Sequence, residues 1–247
     1  NLIIIMPLFS LALLCFIIQK ETIVIAVITL FILIFIINFL KSYLILVFVH
    51  GLYRLKEGEK YEYWKNITNT KSIKEFPIFV IPIESKTKYL NAIALGIGNI
   101  DWILCYDTLI NNLTKEQFAA IMAHETAHIL NNDILKRLLF IVLIIALYTI
   151  YTQLFFLGSI YIILLTIFLV IVAIFGLKFI TKRNQTQEFK ADEFAAKLLK
   201  DKESVIESLT LIHEINQYPR EHKKKGSFRY HPTLNERIEN INNLIID

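Results

Sequence analysis

Cysteine is scarce in this sequence, which has two cysteines among 247 residues. This number excludes a small fold that depends on a disulfide framework. Cys15 lies in an apolar run and Cys105 in a predicted strand, so we expect no bridge between them, and a reducing compartment fits. The chain also lacks a large excess of one charge, since its net charge is +4. It carries no nucleic-acid-binding motif, and we expect no nucleic-acid partner.

Charge is locally absent over long apolar stretches. Residues 1–19 and 22–40 carry no charged side chain, and 40 uncharged residues separate Arg137 from Lys178. About 20 apolar residues in a helix span a bilayer, so the first two runs predict one span each and the third predicts two. Gly158 and Ser159 are the natural turn in the third run. The pattern predicts an integral membrane protein with four transmembrane helices in two hairpins, and the 55% hydrophobic content agrees.

The basic residues indicate how this topology is oriented. Of the 26 lysines and arginines, 12 lie between residues 41 and 137 and 13 lie from residue 178 onward. Two hairpins place both of these segments on one side, and Lys20 alone falls in a turn on the other side. The positive-inside rule then predicts a multi-pass protein of the cell (inner) membrane whose polar segments face the cytoplasm.

The polar segments predict an α+β domain. Residues 57–70 have a helical pattern, and residues 181–216 read as two helices. Residues 76–83, 91–95 and 102–106 read as short strands of a small antiparallel sheet. We expect the second transmembrane helix to continue to about Leu55. The predicted organisation is a first hairpin with a helical extension, a first catalytic part, a second hairpin and a second catalytic part, at 1–55, 56–134, 135–180 and 181–247.

An H-E-x-x-H pattern occurs at His124, Glu125 and His128. Thr114 and Gln117 form a capping box that begins a helix here. On a helix, side chains four residues apart lie on the same face, so both imidazoles can bind one metal ion. The intervening glutamate can take a proton from a metal-bound water, which is the arrangement of zinc metallopeptidases.

A catalytic zinc needs a third protein ligand besides the two histidines. Glu188 and Asp192 are four residues apart on a predicted helix, so Glu188 could bind the metal while Asp192 orients a ligand. Glu193 and Glu125 are alternatives on composition alone. The other histidines have no partner at metal-binding spacing, and we expect them at a surface or interface: His50, His213 and His222.

Four ordered motifs resemble those of the M48 metallopeptidases. Residues 91–96 resemble N-A-F-A-x-G, residues 124–133 resemble H-E-x-x-H-x-x-N-G-D, residues 188–192 match E-x-x-A-D, and residues 231–238 match H-P-x-x-x-x-R-I. Within that family the chain is more similar to HtpX-type membrane proteases than to the larger CAAX prenyl proteases of the Ste24 type. Three positions depart from the usual family pattern without removing a ligand or the base: Ile93, Thr126 and Asn132.

The resemblance implies one zinc ion per chain with a gluzincin-type ligand set. It assigns His124, His128 and Glu188 as ligands and Glu125 as the general base. Asp192 would support a ligand by hydrogen bonding.

The resemblance also implies further roles for residues around the ligands. His231 and Arg237 would stabilise the oxyanion or orient the site, although a histidine–proline pair can simply shape a turn and an arginine can cap a helix. Asn131 and Asp133 would hydrogen-bond the end of the active helix. Asn91 and Ala92 would belong to an edge strand that binds an extended peptide.

These features predict a membrane-embedded zinc endopeptidase with a cytosol-facing site. The resemblance and the predicted topology together imply a role in membrane-protein quality control, with misfolded membrane proteins as substrates. Two other functions stay open, namely a CAAX prenyl-protein endopeptidase and a catalytically silent membrane scaffold. The sequence leaves the oligomeric state undetermined.

Overall fold

The computed structural model describes residues 51–84, 86–97, 100–137, 139, 143, 161–218 and 231–246. The chain divides into two units between His50 and Gly51, and all described residues lie in the second unit. The first predicted hairpin lies outside the described residues, as does most of the second before residue 161. The four-span topology therefore stays a prediction. Within the described part of the chain, no helix is both long and apolar enough to cross a membrane.

Four strands form one sheet, namely β1 (Tyr53–Leu55), β2 (Ile78–Ile81), β3 (Ala92–Ile97) and β4 (Ile100–Tyr106), in the order β1-β2-β4-β3. The predicted strands are present, but the prediction of a purely antiparallel sheet was wrong, because β2 and β4 are parallel. The two other pairs are antiparallel. The reason is that β3 and β4 form a hairpin whose second strand, not its first, lies beside β2. Apolar alternation predicts strands but not their order.

The predicted helical extension to Leu55 was also wrong, because β1 occupies residues 53–55. Gly51 precedes this strand with a φ of 91°, a conformation that glycine adopts without steric cost. Tyr53 then pairs with Val80 of β2, so the backbone of this segment forms its hydrogen bonds within the sheet and not within a helix.

Six helices have both ends within the described part of the chain: α1 (Glu59–Thr70), α2 (Asp107–Asn112), α3 (Lys115–Leu130), α4 (Tyr161–Leu199), α5 (Lys202–Ile215) and α6 (Leu234–Asn242). The helix over residues 57–70 and the two helices over residues 181–216 are confirmed. The sequence analysis did not predict α2 and α6. The described structure is mainly helical, with a small mixed sheet.

Helix α3 lies at the centre of the fold. The predicted capping box at Thr114 and Gln117 is present, with both reciprocal hydrogen bonds. Helix α3 contacts α1, α4, α5 and β3, and it is buried along most of its circumference. Phe118 and Met122 are fully buried in the same core as Trp64 of α1. Each such side chain contributes about 1.5–3 kcal/mol through burial, so the helix that carries the histidines is held rigidly.

Candidate metal centre

Three side chains from two helices converge on one point. His124 and His128 lie one turn apart on α3, and Glu188 reaches them from α4. One potential ligand atom from each lies within 4.8 Å of the others. The structure therefore brings together the three residues that the sequence analysis selected as metal ligands.

The spacing of the three side chains fits a tetrahedral ion. The two histidine Nε2 atoms are 3.2 Å apart. Glu188 places Oε2 at 3.6 Å from Nε2 of His124 and Oε1 at 3.8 Å from Nε2 of His128. Zinc bonds of about 2.0–2.1 Å place tetrahedral ligand atoms about 3.3 Å apart. The donor set therefore fits zinc after a shift of the Glu188 carboxylate, whose two oxygens face different histidines.

Each histidine ring is oriented by a carboxylate on its far side. Nδ1 of His124 lies 2.9 Å from Oδ1 of Asp192, and Nδ1 of His128 lies 2.9 Å from Oδ2 of Asp133. A carboxylate accepts a hydrogen bond, so each Nδ1 carries a proton and Nε2 is the ring atom that remains for a metal ion. Both rings are thus oriented as metal ligands require.

The charges at the site favour a cation between the ligands. Burial raises the pKa of Glu188, but hydrogen bonds from His124 and His231 and the charge of Arg237 hold it well below its usual range. Burial lowers the pKa of His124, but hydrogen bonds to Asp192 and Glu188 outweigh this and raise it to about 10. A positive charge, carried by a proton or by a metal ion, is therefore strongly stabilised at this position.

Arg237 of α6 holds the carboxylate behind His124. Its Nε donates to Oδ2 of Asp192 at 2.7 Å and its Nη2 donates to Oδ1 at 2.5 Å. Burial raises the pKa of Asp192, but the charge and hydrogen bonds of Arg237 lower it overall. Nη1 of Arg237 lies 3.7 Å from Oε2 of Glu188. The guanidinium thus contacts residues on both sides of the metal position.

Glu125 lines a cavity of about 790 Å³ together with the three ligands. Its Oε2 accepts a hydrogen bond of 2.6 Å from the backbone N–H of Ala94 in β3. The base predicted from the sequence therefore faces the same cavity as the ligands, and β3 fixes its orientation.

Strand β3 is at the edge of the sheet and borders this cavity. Backbone groups alternate between the two sides of a strand. The N–H of Ala94 points to Glu125, away from β4. Ala92 lies two residues earlier in the same strand, so its N–H and C=O groups also point away from β4. Asn91 differs, because its carbonyl accepts from the N–H of Tyr106 and so faces β4. Of the two residues predicted for substrate binding, Ala92 offers backbone groups at the free edge, whereas Asn91 lines the cavity without doing so.

His231 lies beside the third ligand. Its Nδ1 is 3.1 Å from Oε1 of Glu188, and its side chain is 60% exposed. His231 therefore reaches the ligand set from the solvent side, whereas Arg237 is buried behind it.

The turn after α3 places Asp133 beside His128. Asn131 is exposed and closes α3: its backbone N–H donates to the carbonyl of Ala127, and the N–H of Asn132 donates to the carbonyl of Ile129. The expected end of the helix is confirmed, while a side-chain role for Asn131 stays a prediction. Asn132 has a φ of 53°, which explains why glycine suits this family position.

The alternatives to Glu188 are not part of the ligand set. Glu193 pairs with Lys197 at 2.6 Å on the outer side of α4, and Glu125 points to Ala94. His213 is half-buried in the cavity wall beside Tyr218, and its expected position at a surface or interface stays a prediction. His50 and His222 lie outside the described residues.

Sequence reasoning missed three contributors to the site: the backbone N–H of Ala94, Gln187 and Asn216. Gln187 donates from Nε2 to Oδ1 of Asp133 at 2.7 Å. The amide of Asn216 donates to the carbonyl of Leu90 at 2.7 Å and accepts from its N–H at 2.8 Å, just before β3 begins. No spacing rule could have found these contacts, because they join segments far apart in the sequence.

Comparisons with known proteins agree with this geometry. The family model for peptidase family M48 matches residues 62–245. A CAAX prenyl protease 1 homolog of Dictyostelium discoideum is 36% identical over 64 residues, which are 26% of this chain and 15% of that protein. The crystal structure of S. mikatae Ste24p has a similar fold, with a TM-score of 0.65 at 22% identity over 96% of this chain and 62% of that chain. The chain thus spans less than two thirds of the length of either relative.

Proposed function

Since the chain belongs to peptidase family M48, we propose that it is a membrane-bound, zinc-dependent endopeptidase that hydrolyses peptide bonds. One observation carries this proposal. His124, His128 and Glu188 converge with the Nε2 atoms of both histidines directed at the metal position, while Glu125 faces the same cavity. This set contains three protein ligands and a free carboxylate, as a catalytic zinc site requires.

In this proposal the protein residues have separate tasks. His124, His128 and Glu188 hold a zinc ion, which supplies the Lewis acidity for attack on the scissile carbonyl. Glu125 accepts the proton of the attacking water and passes it to the leaving amine. The N–H of Ala94 holds the Glu125 carboxylate in place for both transfers.

The two residues of the last motif also have separate tasks. His231 is solvent-exposed and its Nδ1 lies 3.1 Å from Oε1 of Glu188, so its imidazole would be placed to donate a hydrogen bond to the oxyanion. Arg237 is buried and engaged with Asp192, so it orients the support of His124. The geometry favours orientation over direct substrate contact for Arg237.

We infer that the substrate binds in an extended form along β3. The free edge presents the backbone of Ala92 next to Glu125, and added strands pair with such edges. The double hydrogen bond between Asn216 and Leu90 fixes the start of this strand. Polypeptides are therefore the substrate class.

The long apolar runs, most of whose residues lie outside the described part of the chain, support the membrane setting. Two hairpins would anchor the domain with its site at the cytoplasmic surface of the cell membrane. Such a site would reach misfolded membrane proteins, which supports a quality-control role of the HtpX type.

A CAAX prenyl-protein endopeptidase is the second candidate. The Dictyostelium discoideum relative supports it by its description as a CAAX prenyl protease 1 homolog. The catalytic residues would be the same, and only the substrate would differ. The presence of both Glu125 and Glu188 argues against a silent scaffold.

The test is proteolysis by the detergent-purified full chain, compared with Glu125→Gln. We expect the parent to cleave an unfolded protein and Glu125→Gln to lose about 10²–10⁴-fold in rate, because the general base is removed. Both should contain one zinc ion per chain. Glu116→Gln, in the first turn of the same helix, is the matched control and should keep full activity.

A farnesylated CAAX peptide and its unmodified form distinguish the two candidates. Cleavage of the unfolded protein and of both peptides indicates a general endopeptidase, whereas cleavage of the farnesylated peptide alone indicates a prenyl protease. Equal activity of the parent and Glu125→Gln would refute the proposed mechanism.

A further inference from the structure

The carboxylates behind the two histidines are each held by a second buried donor. Arg237 holds Asp192, which contacts His124. Gln187 holds Asp133, which contacts His128. The two arrangements have the same order of donor, carboxylate and imidazole, although their donors lie on different helices.

The two oxygens of Asp133 have different partners. Oδ2 lies 2.9 Å from Nδ1 of His128, and Oδ1 accepts from Nε2 of Gln187 at 2.7 Å. The contact with Gln187 therefore determines the rotation of the carboxylate about its last bond. Without this contact, the carboxylate would be held by His128 alone.

Burial makes the contact with Gln187 hard to replace. Asp133 is 3% exposed and Gln187 is 7% exposed, so water has little access to the freed oxygen. The other amide atom of Gln187, Oε1, has no hydrogen-bond partner among the described residues. An unpaired buried acceptor costs about 1–3 kcal/mol, and an apolar side chain of equal size would avoid that cost. A glutamine at this buried position thus lowers the stability of the fold, and its hydrogen bond to Asp133 is the interaction that favours it.

We propose that Gln187 is a positioning residue of the metal centre, which fixes Asp133 and through it the ring of His128. The proposal rests on zinc binding as set out under the proposed function. Gln187 directly precedes the ligand Glu188 on α4. The same turn of this helix therefore supplies the third ligand and secures the second histidine, so the two helices cannot shift independently without loosening the metal.

The choice of a neutral donor has a consequence of its own. Arg237 neutralises the charge of Asp192, whereas the Gln187 amide directs Asp133 without adding a positive charge. A carboxylate that contacts Nδ1 of a histidine strengthens the imidazole as a zinc ligand, and Gln187 holds Asp133 in that position.

The test uses Gln187→Met, which keeps the volume of the side chain and removes its donor. We expect the zinc dissociation constant, measured by competition with a chelator, to rise about 10–100-fold. The visible absorption spectrum of the Co(II)-substituted chain should change, since the ring of His128 is reoriented. The metal-free chain should still fold cooperatively, with a melting temperature lowered because the buried Oδ1 of Asp133 loses its donor.

Thr186→Val is the matched control. Thr186 is the exposed neighbour on α4, and its hydroxyl donates only to its own helix, at the carbonyl of Lys182. This variant should bind zinc like the parent.

Introducing Gln187→Met into a chain that already carries Asp133→Ala tests whether Gln187 affects zinc affinity through Asp133. If Gln187 acts through Asp133, the second substitution should change zinc affinity less than about 2-fold, because coupled residues are not additive. Parent-like affinity and spectrum in Gln187→Met, or an undiminished effect in the Asp133→Ala background, would overturn the proposal. Zinc binding without proteolysis would refute the proposed activity alone, because these measurements do not depend on cleavage.

Discussion

At the scale of single residues, the site depends on buried ionic groups that satisfy one another. Asp192 is fully buried and receives two hydrogen bonds from Arg237 and one from His124. Burial alone would lower the pKa of Arg237, but the charges of Asp192 and Glu188 raise it. Each charge is tolerated only because its partner is present.

Replacing Arg237 by Met should therefore destabilise the metal-free chain by about 3–5 kcal/mol, since Asp192 is left as an uncompensated buried charge. Chemical unfolding followed by circular dichroism measures this. The double variant Arg237→Met, Asp192→Asn should recover part of the loss.

Arg54→Met provides the comparison, since Arg54 is exposed in β1 and its loss should change the unfolding free energy by less than about 0.5 kcal/mol. If Arg237→Met were as mild as Arg54→Met, the ion pair would not be a structural requirement.

At the scale of elements, the way α3 ends determines whether Asp133 can contact His128. The helix stops at Asn131, and Asn132 adopts a φ of 53° that turns the chain so that Asp133 faces back to His128. Asparagine tolerates this left-handed conformation better than most residues, while β-branched residues do not.

Asn132→Val should lower the unfolding free energy by about 1–2 kcal/mol and weaken zinc binding, because the strained turn displaces Asp133. Asn132→Gly should match or slightly exceed the parent in both properties. The measurements are the unfolding midpoint of the metal-free chain and the zinc dissociation constant. Equal values for the valine and glycine variants would contradict the importance of the turn.

At the scale of the whole molecule, the metal centre joins segments that are far apart in the sequence. Helix α3 supplies two ligands, α4 supplies the third, α6 supplies Arg237, and β3 orients the base. A bound zinc ion therefore links α3 to α4 and should stabilise the folded domain as a whole. Ligands that bind only the native state add RT ln(1 + [L]/Kd) to its stability.

Removing zinc with a chelator should lower the melting temperature, with a loss of about 2.7 kcal/mol relative to a free zinc concentration 100 times the Kd. Differential scanning calorimetry with and without zinc gives the shift. His128→Ala should melt at nearly the same temperature under both conditions, since its ligand set is incomplete. If the melting temperature of the parent chain were the same with and without zinc, zinc would not link α3 to α4.

The sequence by itself determined the local features of this site. The spacing of His124 and His128 matches the helical repeat, and the capping box at Thr114 and Gln117 is a short-range sequence pattern. Both could therefore be predicted from the sequence. The choice of Glu188 over Glu193 was open from spacing, and the resemblance to M48 motifs selected it.

Only the tertiary structure decided the order of the strands and the contacts that support the ligands. Gln187 meets Asp133 across 54 positions, Arg237 meets Asp192 across 45, and Ala94 meets Glu125 across 31. Periodicity reports which side of an element is buried, but it does not report which other element packs there. The partners of a buried polar group depend on that packing, and so the ligands were predictable whereas most of their supports were not.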